Sequence, residues 1–199
     1  VELSVENKDF KFLGVLSNAV KQMSEGEITQ LKKSRSLDIN EETYFKIIQE
    51  KTASLFSSCC MMGAISSKAT EEKIKKMHEF GLLVGKAFQI RDDLFGYLSF
   101  DTGKPSLNDF KQAKITLPLI HTLSKVDTST KRKILKNLKK YRAIDEIIEI
   151  VKENDGIKYS EKKMIQMIDE AYSILKNFPD SEYKKSLISL LNYIIKRNI

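Results

Sequence analysis

Two stretches of the chain carry side chains that can do chemistry together. In Phe88-Gln89-Ile90-Arg91-Asp92-Asp93, two adjacent carboxylates sit in an otherwise apolar run. After a short gap, Gly103-Lys104-Pro105, Asp109 and Lys114-Ile115-Thr116-Leu117-Pro118-Leu119 string lysines and an aspartate along a segment broken by glycine and proline. An acid pair followed by a basic loop is the equipment a metal-complexed phosphate requires. Carboxylate oxygens hold Mg²⁺, and ammonium groups cover the phosphate charge that remains.

Such groups need rigid elements behind them, and the sequence offers helices. Phe12, Val15, Leu16, Val20 and Met23 repeat at helical spacing and predict a helix over about 10–33. Gly26 interrupts this pattern without ending it, at roughly 1 kcal/mol against alanine. A second helix is expected over 41–66, with Asn40 as its N-cap and Glu41 and Glu42 in the first turn. Thr70 opens a third, running to about 98. On it Gln89, Asp92, Asp93 and Gly96 stand at i, i+3, i+4 and i+7 and share a face. Gly81 and Gly85 extend that stripe and allow another helix to approach closely. Residues 99–113 read as a loop. Helices over 116–123, 129–142, 143–153, 160–177 and 180–196 complete an all-α pattern, with no strand alternation or short internal repeat. The basic run 131–142 has Ile134, Leu135 and Leu138 on one side and reads as a solvated helix face.

On the second helix Lys51 and Thr52 interrupt a stripe of Tyr44, Ile47, Ile48 and Leu55. By periodicity alone, a lysine there snorkels to water. Leu55, Ser58 and Met62 follow Lys51 at i+4, i+7 and i+11; they either line an apolar cavity under a charged mouth or belong to ordinary core. His78 and His121 lack ligand-spaced partners and receive no role.

Composition bounds the rest. The 199 residues can bury a good core as one domain. The formal charge of +7 is explained by a lysine-rich solvated surface, with phosphate ligands as a further contribution. No zinc-ligand spacing or aromatic–basic RNA motif appears, so no nucleic-acid partner is expected. No apolar run reaches the ~18 residues of a membrane span, and no signal peptide is read. Cys59 and Cys60 are adjacent with no other cysteine in the chain, which suggests two buried thiols in a reducing compartment and hence a cytoplasmic location.

The same motifs carry a family resemblance. Phe-Gln-x-x-Asp-Asp, then Gly-Lys-Pro, Asp109 and Lys-x-Thr-Leu-Pro-Leu resemble the second aspartate-rich region of the trans-isoprenyl diphosphate synthases, the polyprenyl synthetase family. Gly26-Glu27 and Tyr44…Lys51-Thr52-Ala53-x-Leu55 resemble that family's preceding helices. Ala171…Leu175…Pro179…Leu187…Tyr193…Arg197 resembles its C-terminal end more weakly. One position departs: where the motif often reads Asp-Asp-x-x-Asp, this chain has Gly96.

The resemblance implies an all-α, single-domain antiparallel bundle around a central cavity, the isoprenoid synthase fold. It implies a Mg²⁺-dependent prenyltransferase that condenses isopentenyl diphosphate with an allylic diphosphate, expected to be a homodimer. Asp92 would be the leading Mg²⁺ ligand, with Asp93 in support and Asp109 binding metal-bound water or steadying the lysine loop. Lys51, Lys104 and Lys114 would meet diphosphate oxygens, and Thr52 and Gln89 would orient their dipoles toward an allylic cation. The family's first motif, Asp-Asp-x-x-Asp followed by paired arginines, has no counterpart before Asp92, since Asp9 and Asp38 are isolated. The chain is therefore expected to be the C-terminal two-thirds of one synthase domain, without its N-terminal helices, or a shortened subunit. A non-catalytic partner of a complete synthase and a purely helical interaction module are the competing classes. A terpene cyclase is a nearer rival, but no Asn/Asp…Ser/Thr…Glu metal motif follows Asp93.

Overall fold

The computed structural model describes residues 2–98 and 108–197. Helices α1 (Glu2–Glu6) and α2 (Phe10–Ser36) lead to α3 (Glu41–Ile48) and α4 (Ser54–Ser66). Next come α5 (Glu71–Leu98), α6 (Asn108–Lys111), α7 (Leu117–Lys125), α8 (Thr128–Lys139) and α9 (Ile144–Glu153). Two long helices finish the chain, α10 (Gly156–Leu175) and α11 (Glu182–Lys196). All described regular structure is helical, as the periodicity predicts.

Capping agrees with the sequence. Asn40 accepts a hydrogen bond from the Thr43 amide at 2.8 Å, as expected; Ser181, for which no cap was predicted, accepts one from Lys184 at 3.1 Å. Asp127, with no predicted role, caps α8 through the amides of Ser129 and Thr130. Two elements depart from the expected pattern: the short α1, and α6 inside the segment read as loop. The predicted helix over 41–66 is also not uniform. Residues Gln49–Ala53 form a π turn between α3 and α4.

That π turn changes which side of α4 is inside. A π turn carries one residue more than the α repeat, so everything after it rotates relative to a continuous helix by about 100°. Ala53 at the end of the turn and Ser54, Ser57, Ser58 and Ala64 on α4 form the inward stripe, all small, while Leu55 is 40% exposed. The rotation also takes Leu55, Ser58 and Met62 out of phase with Lys51, and they form no single buried wall beneath it: Leu55 faces out, Ser58 is buried and Met62 is half-buried. The thiols are less buried than expected. Cys59 is exposed and Cys60 only half-buried, and burial pushes the Cys60 thiol up to about 11.

α5 is the central element, with α4 packed on one side and α10 on another. The α4–α5 contact is close enough to demand glycine. A Cβ on Gly81 would lie 2.5 Å from the Ser57 Cα, and one on Gly85 2.5 Å from the Ala53 Cα. Away from this seam the core is aliphatic: Ile134, Leu138, Ile147, Ile148 and Ile168 are fully buried among α8, α9 and α10. Among the described residues, no helix is long and apolar enough to cross a membrane.

Candidate diphosphate and metal site

Where α2, the π turn, α5 and the segment before α7 meet, they enclose a cavity of about 210 Å³. Lys51, Thr52, Gln89, Asp92, Asp93 and Lys114 all line it. Lys51 and Asp92 thus face one space, as the all-α reading requires.

Each side chain has an identifiable support. Lys51 and Thr52 lie in the π turn, which α2 approaches through Gly26; a Cβ there would stand 2.6 Å from the Lys51 amide nitrogen. This contact brings two acceptors to the Lys51 ammonium, Gln30 Oε1 at 2.6 Å and Glu27 Oε2 at 2.5 Å. Lys51 is therefore oriented by protein, where periodicity alone predicts a side chain released to water.

The acid helix is tied to the π turn by a run of hydrogen bonds. Thr52 Oγ1 donates to Gln89 Oε1 at 2.8 Å, and Gln89 Nε2 donates to Asp93 Oδ1 at 2.9 Å. Tyr44 Oη donates to Asp93 Oδ2 at 2.7 Å. Both Asp93 oxygens are thus engaged by the protein. Asp93 is buried, and burial raises its pKa to about 7 despite those two donors, with Asp109 and Asp92 adding to the rise. Burial also lifts the Tyr44 phenol well above its ordinary value, and Asp93 reinforces this.

Asp92 differs from its neighbour. It is exposed, and among the described residues no hydrogen bond or ion pair engages its carboxylate. Partial burial raises its pKa, Arg197 and Lys114 pull it down, and Asp109 pushes it up. The basic segment is present in part. Lys114 Nζ donates to Asp109 Oδ1 at 2.7 Å, and the Lys114 amide donates to the Asp109 carbonyl at 2.9 Å. Ala113, at φ 50°, turns the chain here through the left-handed region, which a side chain rarely adopts. Thr116, the N-cap of α7, meets Tyr97 Oη at 2.8 Å through its hydroxyl. Lys104 lies outside the described residues.

Sequence reasoning missed three contributors. Tyr44 reads as one apolar-stripe residue among several, and its role depends on a partner 49 residues away. Gln30 carries no motif. Glu27 enters only as part of Gly26-Glu27, without a function. His78 and His121 remain structural: His78 pairs with Ser57 Oγ, and His121 stacks on Tyr159 with ring centroids 4.0 Å apart.

A helical bundle that gathers an outward-facing carboxylate and two oriented lysines into one cavity has the equipment of a protein that handles a metal-bound diphosphate. The chain belongs to the polyprenyl synthetase family, whose model matches residues 1–154. It is 30% identical to the octaprenyl diphosphate synthase of Haemophilus influenzae, over 99% of this chain and 61% of that protein. It superposes with a TM-score of 0.91 on a decaprenyl diphosphate synthase from Rhodobacter capsulatus, at 27% identity, covering 98% of this chain and 62% of that one. The polyprenyl synthase of Caulobacter crescentus, solved with calcium and isoprenyl diphosphate, matches with a TM-score of 0.86 at 28% identity, over 98% of this chain and 62% of its own. The chain thus spans about three-fifths of the length of these relatives.

Proposed function

We propose that this chain is the C-terminal part of one prenyltransferase domain that condenses isopentenyl diphosphate with an allylic diphosphate to give a longer trans-polyprenyl diphosphate. The observation that carries this reading is the meeting, in one cavity, of Lys51, Lys114, the Asp92 carboxylate, which no described residue engages, and the hydrogen-bonded Thr52–Gln89 pair.

The donor chemistry fits Mg²⁺. Among the described residues no three His, Cys, Asp or Glu side chains group closely enough to hold a metal by themselves. Mg²⁺ is commonly held by one or two carboxylates together with substrate phosphates, and Asp92 offers such a carboxylate. Asp93, each of whose oxygens already accepts a hydrogen bond from Tyr44 or Gln89, would support it from behind. When bound, Mg²⁺ supplies positive charge against the negative charge that grows on the departing diphosphate. The Caulobacter relative, solved with calcium and isoprenyl diphosphate, favours the same pairing of a divalent cation with a diphosphate.

In the reaction, the allylic C–O bond breaks and pyrophosphate leaves. The isopentenyl double bond attacks the allylic carbon, and a proton is then lost. Lys51 and Lys114 would meet the pyrophosphate oxygens, with Lys104 a third cation and Asp109 steadying Lys114. Oriented charges of this kind stabilise charge that develops as the bond breaks. Because Thr52 donates its hydrogen to Gln89, the Thr52 oxygen keeps its lone pairs for the allylic cation. Asp93 would act at one remove by fixing the Gln89 amide. A cytoplasmic homodimer using Mg²⁺ completes the reading.

The test is incorporation of radiolabelled isopentenyl diphosphate into acid-labile polyprenyl product, with the full-length gene product and an allylic primer. Product that depends on both primer and Mg²⁺ is expected. Product formed only after a second, different chain is added would favour the subunit reading. Absence of product under both conditions would overturn the assignment.

A further inference from the structure

Along several helices of this protein a surface lysine has a carboxylate beside it in the same segment. Lys21 meets Glu25 on α2, Lys76 meets Glu72 on α5, Lys158 meets Asp155 at the start of α10 and Lys185 meets Glu182 on α11. α8 is built differently. From Thr128 to Arg142 the chain holds seven lysines and arginines and no carboxylate. Ile134 and Leu138 turn inward, so Arg132, Lys136, Lys139 and Lys140 fall on the outward face, at i, i+4, i+7 and i+8, and all four are exposed. Lys133, on the flank, reaches Glu146 of α9. Among the described residues no ion pair engages the four outward cations. Like charges one turn apart repel, so this row weakens its own helix unless something negative lies against it.

The row ends in an unusual turn. Tyr141 and Ala143 both have φ 49°, in the left-handed region where glycine or asparagine is the easier choice. A tyrosine held there, 39% exposed between Lys140 and Arg142, sets an amphipathic ring beside the cations. Rings of this kind favour the boundary between water and a bilayer.

We propose that α8 and the turn after it form a peripheral docking surface for an anionic lipid bilayer, with the basic row against lipid phosphates and Tyr141 in the headgroup layer. Its purpose rests on the prenyltransferase reading. A polyprenyl diphosphate joins a long apolar tail to a charged head, so the reaction that consumes it belongs at a bilayer. An enzyme held there releases its product where the tail can leave water. Three of the four outward cations are lysines, flexible point charges suited to a fluid array of phosphates without fixed register.

The experiment is co-sedimentation of the full-length gene product, without substrate, with vesicles of phosphatidylcholine alone or of equimolar phosphatidylcholine and phosphatidylglycerol. Binding is expected to the anionic vesicles only, and to weaken as salt screens the contact. The triple variant Arg132→Gln/Lys136→Gln/Lys139→Gln should bind roughly a hundredfold more weakly, about fivefold for each charge removed. Lys73→Gln/Lys75→Gln/Lys162→Gln, which removes the same charge from α5 and α10, should stay within about threefold of wild type. Tyr141→Asn, which suits the left-handed backbone, should weaken binding severalfold. Equal loss in both triple variants would make the effect one of overall charge and overturn the surface. So would displacement from the vesicles by duplex DNA at matched phosphate concentration, which would mark a general polyanion site. An unchanged affinity in Tyr141→Asn would overturn the part given to the ring. Turnover of the α8 triple variant on soluble substrates should equal wild type, and a parallel loss would place the effect in the fold and refute the proposal. Because the binding measurement uses no substrate, absence of product would sink the prenyltransferase reading alone, and absence of vesicle binding the docking surface alone.

Discussion

The two ends of this bundle are packed by different means. At the site, helices touch through the smallest residues available: Gly26 against Lys51, Gly81 against Ser57, Gly85 against Ala53. Polar side chains join across them, from Tyr44 to Asp93 and on to Gln89 and Thr52. Between α8, α9 and α10 the buried contacts are branched aliphatics, Ile134, Leu138, Ile147 and Ile148, and the Lys133–Glu146 ion pair that joins α8 to α9 lies at the exposed rim. The first end fixes positions, because backbones in contact leave nothing to adjust. The second supplies cohesion and can absorb a methyl group. Substitutions at the two ends should therefore separate function from stability.

The largest effect should come from Asp92→Ala in the full-length gene product. It removes the exposed carboxylate and should lower kcat by orders of magnitude with little change in unfolding temperature. Steady-state turnover at saturating Mg²⁺ measures it, and near-wild-type turnover would erase the functional distinction between the ends. Next is the pH response of Asp93. Its folded pKa of about 7 lies above the ordinary carboxylate value, so the unfolded chain releases this proton first. The stability of the metal-free protein should fall as pH rises from about 4 to 7 and level off above. The Asp93 share is on the order of 4 kcal/mol. Urea titrations of wild type and Asp93→Asn across that range should differ in slope, and parallel curves would refute it.

Lys51→Met should weaken allylic diphosphate binding roughly ten- to hundredfold, about 1.5–3 kcal/mol, while the helix stays folded. A calorimetric Kd equal to wild type would return Lys51 to a merely snorkelling role. Gly85→Ala should cost about 1–3 kcal/mol of stability, since its methyl would meet the Ala53 backbone. It should also raise the diphosphate Kd, because Thr52 adjoins Ala53 in the π turn. If only stability changed, the seam would be packing without positioning. The smallest effect belongs to the other end: Ile148→Val should cost about 0.5–1.5 kcal/mol by thermal unfolding and leave Kd unchanged.

The all-α fold was legible because its signal is local. Apolar residues at helical spacing, Asn40 before Glu41-Glu42, and Pro118 at the start of α7 all report on their own neighbourhoods. The acid pair and the lysines were legible as types, and Gly81 and Gly85 as points of close approach. The π turn was not, since one surplus residue leaves the apolar count intact and alters only the phase of the residues after it. That phase error accounts for the inward reading of Leu55; the burial expected of Cys59 rests on the usual behaviour of free thiols and not on helix phase. The supports at the site were hidden for another reason. Tyr44 with Asp93, and Arg91 with the Arg197 carbonyl, pair residues 49 and 106 positions apart, and no spacing rule spans such distances. Glu27 reaches Lys51 from a different helix, which periodicity within either segment does not report.

The π turn also restricts which length changes the chain can tolerate. Removing one residue from Gln49–Ala53 would restore an unbroken α-helix, and by backbone hydrogen bonding alone the result would look like a repair. It would also turn α4 by about 100° against α5. Leu55 would swing toward the glycine seam, where even a Cβ has no room, and the small inward serines would swing away. A shorter, more regular helix would thus be incompatible with its neighbours, so a single-residue deletion here should be worse tolerated than most point substitutions in the same segment. Homologous chains are expected to keep the number of residues across these five positions.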